Sequence, residues 1–168
     1  TADTRFERLL QANQAVLRRM TAGYARTPED REDLIQEIAV AVWRSLPGFR
    51  GDCAERTFVL RIAHNRCLTY AKSKRREVPL EAHVAEPLDT RVLPEQQVVH
   101  EQQTERLLYA VRALPLIYRE IVLLTLEGLD YREISEVVGI SESNVGARLS
   151  RARQHLRKAL EERHEQRC

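Results

Sequence analysis

Aromatic residues make up only 5% of the 168 positions, and runs of alternating Val, Ile, Thr and Tyr are missing as well, which argues against a sheet-based fold. Cysteine is scarce too. Cys53, Cys67 and Cys168 stand far apart with no C-x-x-C pair, so neither a disulfide framework nor a zinc site is indicated. The five histidines (His64, His83, His100, His155 and His164) are equally scattered. No nucleophile–base pair, metal cluster or phosphate-cradling glycine loop appears, so the sequence points away from an enzyme and calls for no cofactor, metal or small-molecule substrate. No apolar run reaches the length of a membrane span, and the N-terminus has no signal-peptide core. A reducing, cytoplasmic setting is the expectation.

What is present is a helix-forming vocabulary of Leu, Ala, Arg and Glu, with enough apolar residues for a globular core. The expected fold is all-α. Phe6, Leu9, Leu10, Leu17 and Met20 recur at helical spacing, giving a first amphipathic helix that stops near Gly23. "TPEDREDL" reads as a helix start, with Thr27 as N-cap, Pro28 at the first helical position and acids in the first turn. Leu34, Ile35, Ile38, Ala41 and Val42 form the buried stripe of this second helix, which ends before Pro47-Gly48. "FRGDCAER" is a loop, and a third helix is expected from about Ala54 to Arg75, with Phe58, Ile62, Leu68 and Tyr70 as its apolar positions.

From Glu77 to about His100 the composition shifts to Pro79, Pro87 and Pro94 among polar residues, the mark of a tether. A second helical block follows, broken at Leu114-Pro115 and again at Gly128. The organisation is therefore two small helical domains, residues 1–76 and 101–168, joined by a flexible linker at 77–100.

Net charge is only +2, but its distribution is uneven. Arg61, Arg66, Lys72, Lys74, Arg75 and Arg76 lie in one stretch without an acid, and Arg148, Arg151, Arg153, Arg157 and Lys158 in another. Two cationic patches balanced by acids elsewhere suit a nucleic-acid binder, although solvated helix faces have the same look. The second patch sits in "REISEVVGISESNVGARLSRARQHLRKAL". Here Gly139 fits a tight turn, Ile134, Val138, Ile140 and Val145 fit a lock between two helices, and Ser141 fits an N-cap. Val145, Leu149, Ala152 and Leu156 repeat at four-three-four spacing as a buried face. These features fit a helix-turn-helix hairpin, whose second helix would enter the major groove, and they also fit an ordinary hairpin of two packed helices.

"DLIQEIAVAVWRSLPGFRGDCAERTFVLRIAHNRCLTYAKSKRR" resembles the first domain of bacterial RNA polymerase sigma factors of the extracytoplasmic-function (ECF) subfamily. "LPLIYREIVLLTLEGLDYREISEVVGISESNVGARLSRARQHLRKAL" resembles the second, so the two blocks are sigma region 2-like and region 4-like. The resemblance implies promoter-specific transcription initiation: binding core RNA polymerase, recognising −10 and −35 elements, and assisting −10 melting. It implies that Asp33, Gln36 and Glu37 dock on the clamp coiled coil of the largest polymerase subunit, with the C-terminal domain on the flap region. For −10 DNA it implies Arg50, Asp52, Cys53, Ala54 and Glu55 in the loop, with Arg61, Asn65, Arg66 and Lys72 on the following helix. For −35 DNA it implies Ser143, Asn144, Ala147, Arg148, Ser150, Arg151 and Arg153. An anti-sigma protein is a further implied partner. Two departures stand out: Phe58 and Leu60 lie where the family often has Trp and Tyr nearby, and Gly146 and Ala147 replace a basic residue and a serine. Two other readings of the residues stay open: a dimeric helix-turn-helix regulator acting without polymerase, and a helical interaction module.

Overall fold

The computed structural model of the chain describes residues 2–77 and 95–165. Most of the expected tether, with His83, and also Cys168 and the side chain of Arg76, lie outside the described residues. The described residues form seven helices and no strand: α1 Ala2–Ala22, α2 Pro28–Ser45, α3 Glu55–Glu77, α4 Glu95–Ala113, α5 Leu116–Leu126, α6 Tyr131–Val138 and α7 Glu142–Glu165. A short 3-10 turn, Leu46–Gly48, ends α2. Helix α4 begins earlier than the sequence suggests, so residues 95–100 are helical where the linker was expected to run to 100.

Local chemistry sets the helix ends. The Thr27 side chain accepts a hydrogen bond from the Asp30 N–H at 3.1 Å, and Pro28 with Glu29 and Asp30 completes the start of α2. At α6 a reciprocal box closes: the Glu133 N–H donates to Asp130, and the Asp130 N–H donates to the Glu133 carboxylate, both at 2.8 Å. Gly139 ends α6 at φ 79°, a left-handed conformation in which a Cβ would be strained. Ser141 then caps α7 by accepting from the Asn144 N–H at 3.2 Å.

In the first block, α1, α2 and α3 pack around Leu17, Met20, Leu34, Ile38, Val42, Val59 and Leu60. In the second, Val111, Ile121, Leu124, Ile134, Val145 and Leu149 close the core of α4 to α7. Helix α3 departs from its expected register. Its buried stripe is Val59, Leu60, Ala63, Cys67 and Ala71, while Phe58, Ile62, Leu68 and Tyr70 are only partly buried beside it. The reason is crowding: α3 packs against α1, α2 and α6 at once, and small side chains let those helices approach.

The two blocks also pack on each other, and one apolar core runs through both. One contact between them lies just after α1. A Cβ placed on Gly23 would lie 2.6 Å from Leu123 Cδ1 on α5, well inside van der Waals contact.

Candidate polymerase and nucleic-acid surfaces

Helix α2 buries Leu34, Ile38, Ala41 and Val42 and presents its other side to solvent. Asp33, Gln36 and Glu37 are all exposed there, within about one turn. The same face continues toward the C-terminus through Val40 and Trp43, exposed at 48% and 54%. A tryptophan left half in water beside a valine is an apolar end to an otherwise polar stripe.

The loop before α3 brings Arg50, Asp52, Cys53, Ala54 and Glu55 together, but they differ in freedom. Arg50, Asp52 and Ala54 are exposed, and Cys53 is half-buried. Glu55 is engaged: Arg5 reaches it at 2.9 Å and Arg8 at 3.3 Å, so it anchors the loop to α1. Phe49 and Phe58 stack at 4.5 Å between centroids, with the Arg5 guanidinium over Phe49. This aromatic pair gives the loop a floor.

On α3, Arg61, Asn65 and Lys72 share one exposed face at i, i+4 and i+11, while Arg66 projects from a separate flank. Arg61 is occupied. Its Nε and Nη2 both donate to the Glu136 carbonyl of α6, at 3.1 and 2.9 Å.

The hairpin of α6 and α7 turns a polar and basic face outward. Ser143, Asn144, Ala147, Ser150, Arg151 and Arg153 are exposed, opposite buried Val145, Leu149 and Ala152. Arg148 stands apart from them. Its Nη1 donates to Glu120 Oε1 at 2.9 Å, and the side chain is only 29% exposed. Gly146 faces the Tyr131 ring, where an added Cβ would lie 3.3 Å from Cε2. The tyrosine thus covers the position where the family often carries a basic residue.

Sequence reasoning missed the cluster behind Arg148. His64 of α3 and Glu120 of α5 are 3% and 5% exposed, with His64 Nε2 3.6 Å from Glu120 Oε2. Burial, with Lys72 nearby, lowers His64 to about 4, so it is neutral at pH 7. Burial also raises Glu120 to about 7, against the opposing pull of Arg148. The available signal was a lone glutamate inside the apolar run of α5. Among the described residues no group of His, Cys, Asp and Glu could hold a metal, and no helix is long and apolar enough to cross a membrane.

Residues 9–77 match Sigma-70 region 2, and residues 104–156 match Sigma-70 region 4. The ECF RNA polymerase sigma-E factor of Escherichia coli K12 is 30% identical over 76% of this chain and 72% of its own length. The chain belongs to the ECF sigma factors. Among its other relatives, the ECF sigma factor SigM of Mycobacterium tuberculosis is 25% identical over 92% of this sigma factor and 76% of the relative. The fold is that of CnrH in its complex with the cytosolic domain of CnrY, with TM-score 0.71 and 22% identity over 95% of this chain and 89% of that one. RpoE bound to the anti-sigma factor NepR from Bartonella quintana gives TM-score 0.69 and 21% identity over 94% and 97% of the two chains. This sigma factor therefore carries both regions of its family in the family's order, and as a member it is a transcription initiation factor rather than an enzyme.

Proposed function

We propose that the chain is a promoter-specificity subunit that binds core RNA polymerase, reads a −10 and a −35 element, and helps open the −10 region. One observation carries this reading: the chain presents two chemically different surfaces suited to the task. The acidic and amide groups Asp33, Gln36 and Glu37 stand exposed on rigid α2, as a basic coiled coil would require. The outward face of α7 offers Ser143, Asn144, Ala147, Ser150, Arg151 and Arg153 to a major groove. Arg151 and Arg153, being exposed, are better placed than Arg148 for bidentate contact with guanine. The Phe49–Phe58 floor supports a loop able to take an unpaired base.

The region 4-like half would meet the polymerase flap, and the work would take place in the cytoplasm under the control of an anti-sigma protein. Both structural neighbours were solved with protein partners, and one of those is named as an anti-sigma factor. Run-off transcription with purified core polymerase on a promoter library tests the reading, and the absence of promoter-dependent stimulation would reject it. The docking assignment has its own check. Asp33→Ala with Gln36→Ala should weaken core binding at least tenfold, with the thermal midpoint unchanged, because both side chains are exposed. Unchanged core affinity would remove α2 from the docking surface.

A further inference from the structure

Arg5 stands near the start of α1 and bonds to Glu55, 50 residues later in the chain. Its Nε donates to Glu55 Oε1 at 3.0 Å, and its Nη2 lies 2.9 Å from the same oxygen. The guanidinium also sits over the Phe49 ring, with Cζ 5.3 Å from the centroid. Phe49 and Glu55 are the two ends of one loop: Phe49 caps the 3-10 turn after α2, and Glu55 opens α3. Between them lie Arg50, Asp52, Cys53 and Ala54, the loop residues of the proposed −10 surface. One side chain of α1 therefore holds both ends of that loop.

Each end has further anchors. Arg8 Nη2 stands 3.3 Å from both Glu55 oxygens and so fixes the turn of the carboxylate. The Phe49 N–H donates to the Leu46 carbonyl at 3.1 Å, and its ring packs on Phe58. The Phe58 N–H in turn donates to the Ala54 carbonyl at 3.0 Å. Midway, Gly51 turns the chain at φ 82°, with open space where a Cβ would stand. The exposed Arg50, Asp52 and Ala54 thus project from a loop pinned at its ends. Reading a base edge demands donors and acceptors fixed before the base arrives, because a loop free to re-form accepts several edges.

What Arg5 supplies is geometry more than stability. The side chains of Arg5 and Glu55 are 39% and 37% exposed, and ion pairs so open to water stabilise a fold little. The flat guanidinium fork bonds a carboxylate while lying over a ring, a combination that the compact ammonium of lysine does not match. We propose that Arg5 is a positioning residue for −10 recognition: by tying Phe49 to Glu55 it holds residues 50–54 in the shape that discriminates among bases, without itself meeting DNA.

This role rests on the −10 reading, and the experiment separates the two. The full chain is assayed with core polymerase by run-off transcription on two template series built from one active promoter. One series varies single bases of the −10 element, the other those of the −35 element. In Arg5→Ala the ratio between the best and worst −10 base should fall about fivefold, the low end of what one good base contact gives, while the −35 ratios stay within about twofold of the parent. Arg5→Lys keeps the charge and loses the fork, so its −10 ratio should lie between those of Arg5→Ala and the parent. Parental −10 ratios in Arg5→Ala, or in Arg5→Lys where Arg5→Ala does not fold, overturn the positioning role and leave the promoter reading standing. Equal losses in both series do the same, since they mark a general loss of structure. A parent with −35 but no −10 preference overturns the −10 reading and this role with it. A parent silent in run-off overturns the promoter reading as a whole.

Discussion

Glu120 is a carboxylate where carboxylates are scarce, deep in an apolar helix and paired on one side only by Arg148. Its neighbour His64 responds to pH with the opposite sign. His64 is held near 4 in the fold against 6.5 free, so the unfolded chain binds more protons between those values, and acidification there costs stability. Glu120 is held near 7 against 4.5, so the fold binds more protons in that range and acidification adds stability. Around pH 5–7 the two contributions offset each other. Glu120→Gln leaves only the histidine, so relative to the parent its stability should fall from pH 7 to pH 5, on the order of 1 kcal/mol. His64→Gln should move the other way. Urea unfolding at the two pH values measures both, and parallel curves for all three proteins would show that the pair does not titrate as a buried unit.

At the level of elements, the α6–α7 hairpin depends on a few bonds at its corners. Gly139 sits at φ 79°, so Gly139→Ala should cost about 1–2 kcal/mol through backbone strain alone. Asp130→Ala removes the capping box of α6 and should cost about 1 kcal/mol. Denaturant midpoints check both, and an unaffected Gly139→Ala protein would mean the turn takes another conformation. Gly139, Ser141 and Thr27-Pro28 were readable from sequence because a glycine turn, a serine cap or a Thr-Pro start imposes local chemistry wherever it falls, whereas the Asp130–Glu133 box of α6 was not read. The apolar stripe of α2 was equally plain. That of α3 was not, since it is lined by Val59, Ala63, Cys67 and Ala71, and the larger Phe58, Ile62, Leu68 and Tyr70 drew the reading one position aside. The exposed face of α7 was legible by elimination from its buried stripe. The engagement of Arg61, Arg148 and Glu55 was not, because an arginine's or glutamate's partner lies on another element and leaves no periodic trace.

At the scale of the whole molecule, the two blocks share a continuous apolar core, so they should lose structure together. Urea unfolding of the parent should show one transition, coincident by far-ultraviolet circular dichroism and Trp43 fluorescence. Two separated transitions in the parent itself would show that the blocks are energetically independent.

Gly23 gives that cooperativity an evolutionary side. It follows α1 and lies against the Leu123 side chain of α5, which would have to shift to admit a methyl group, and it belongs to neither the proposed DNA faces nor the α2 docking face. A single base change turns a glycine codon into one for alanine. A lineage can therefore alter the contact between the two blocks in one mutational step, at a codon outside α2 and α7.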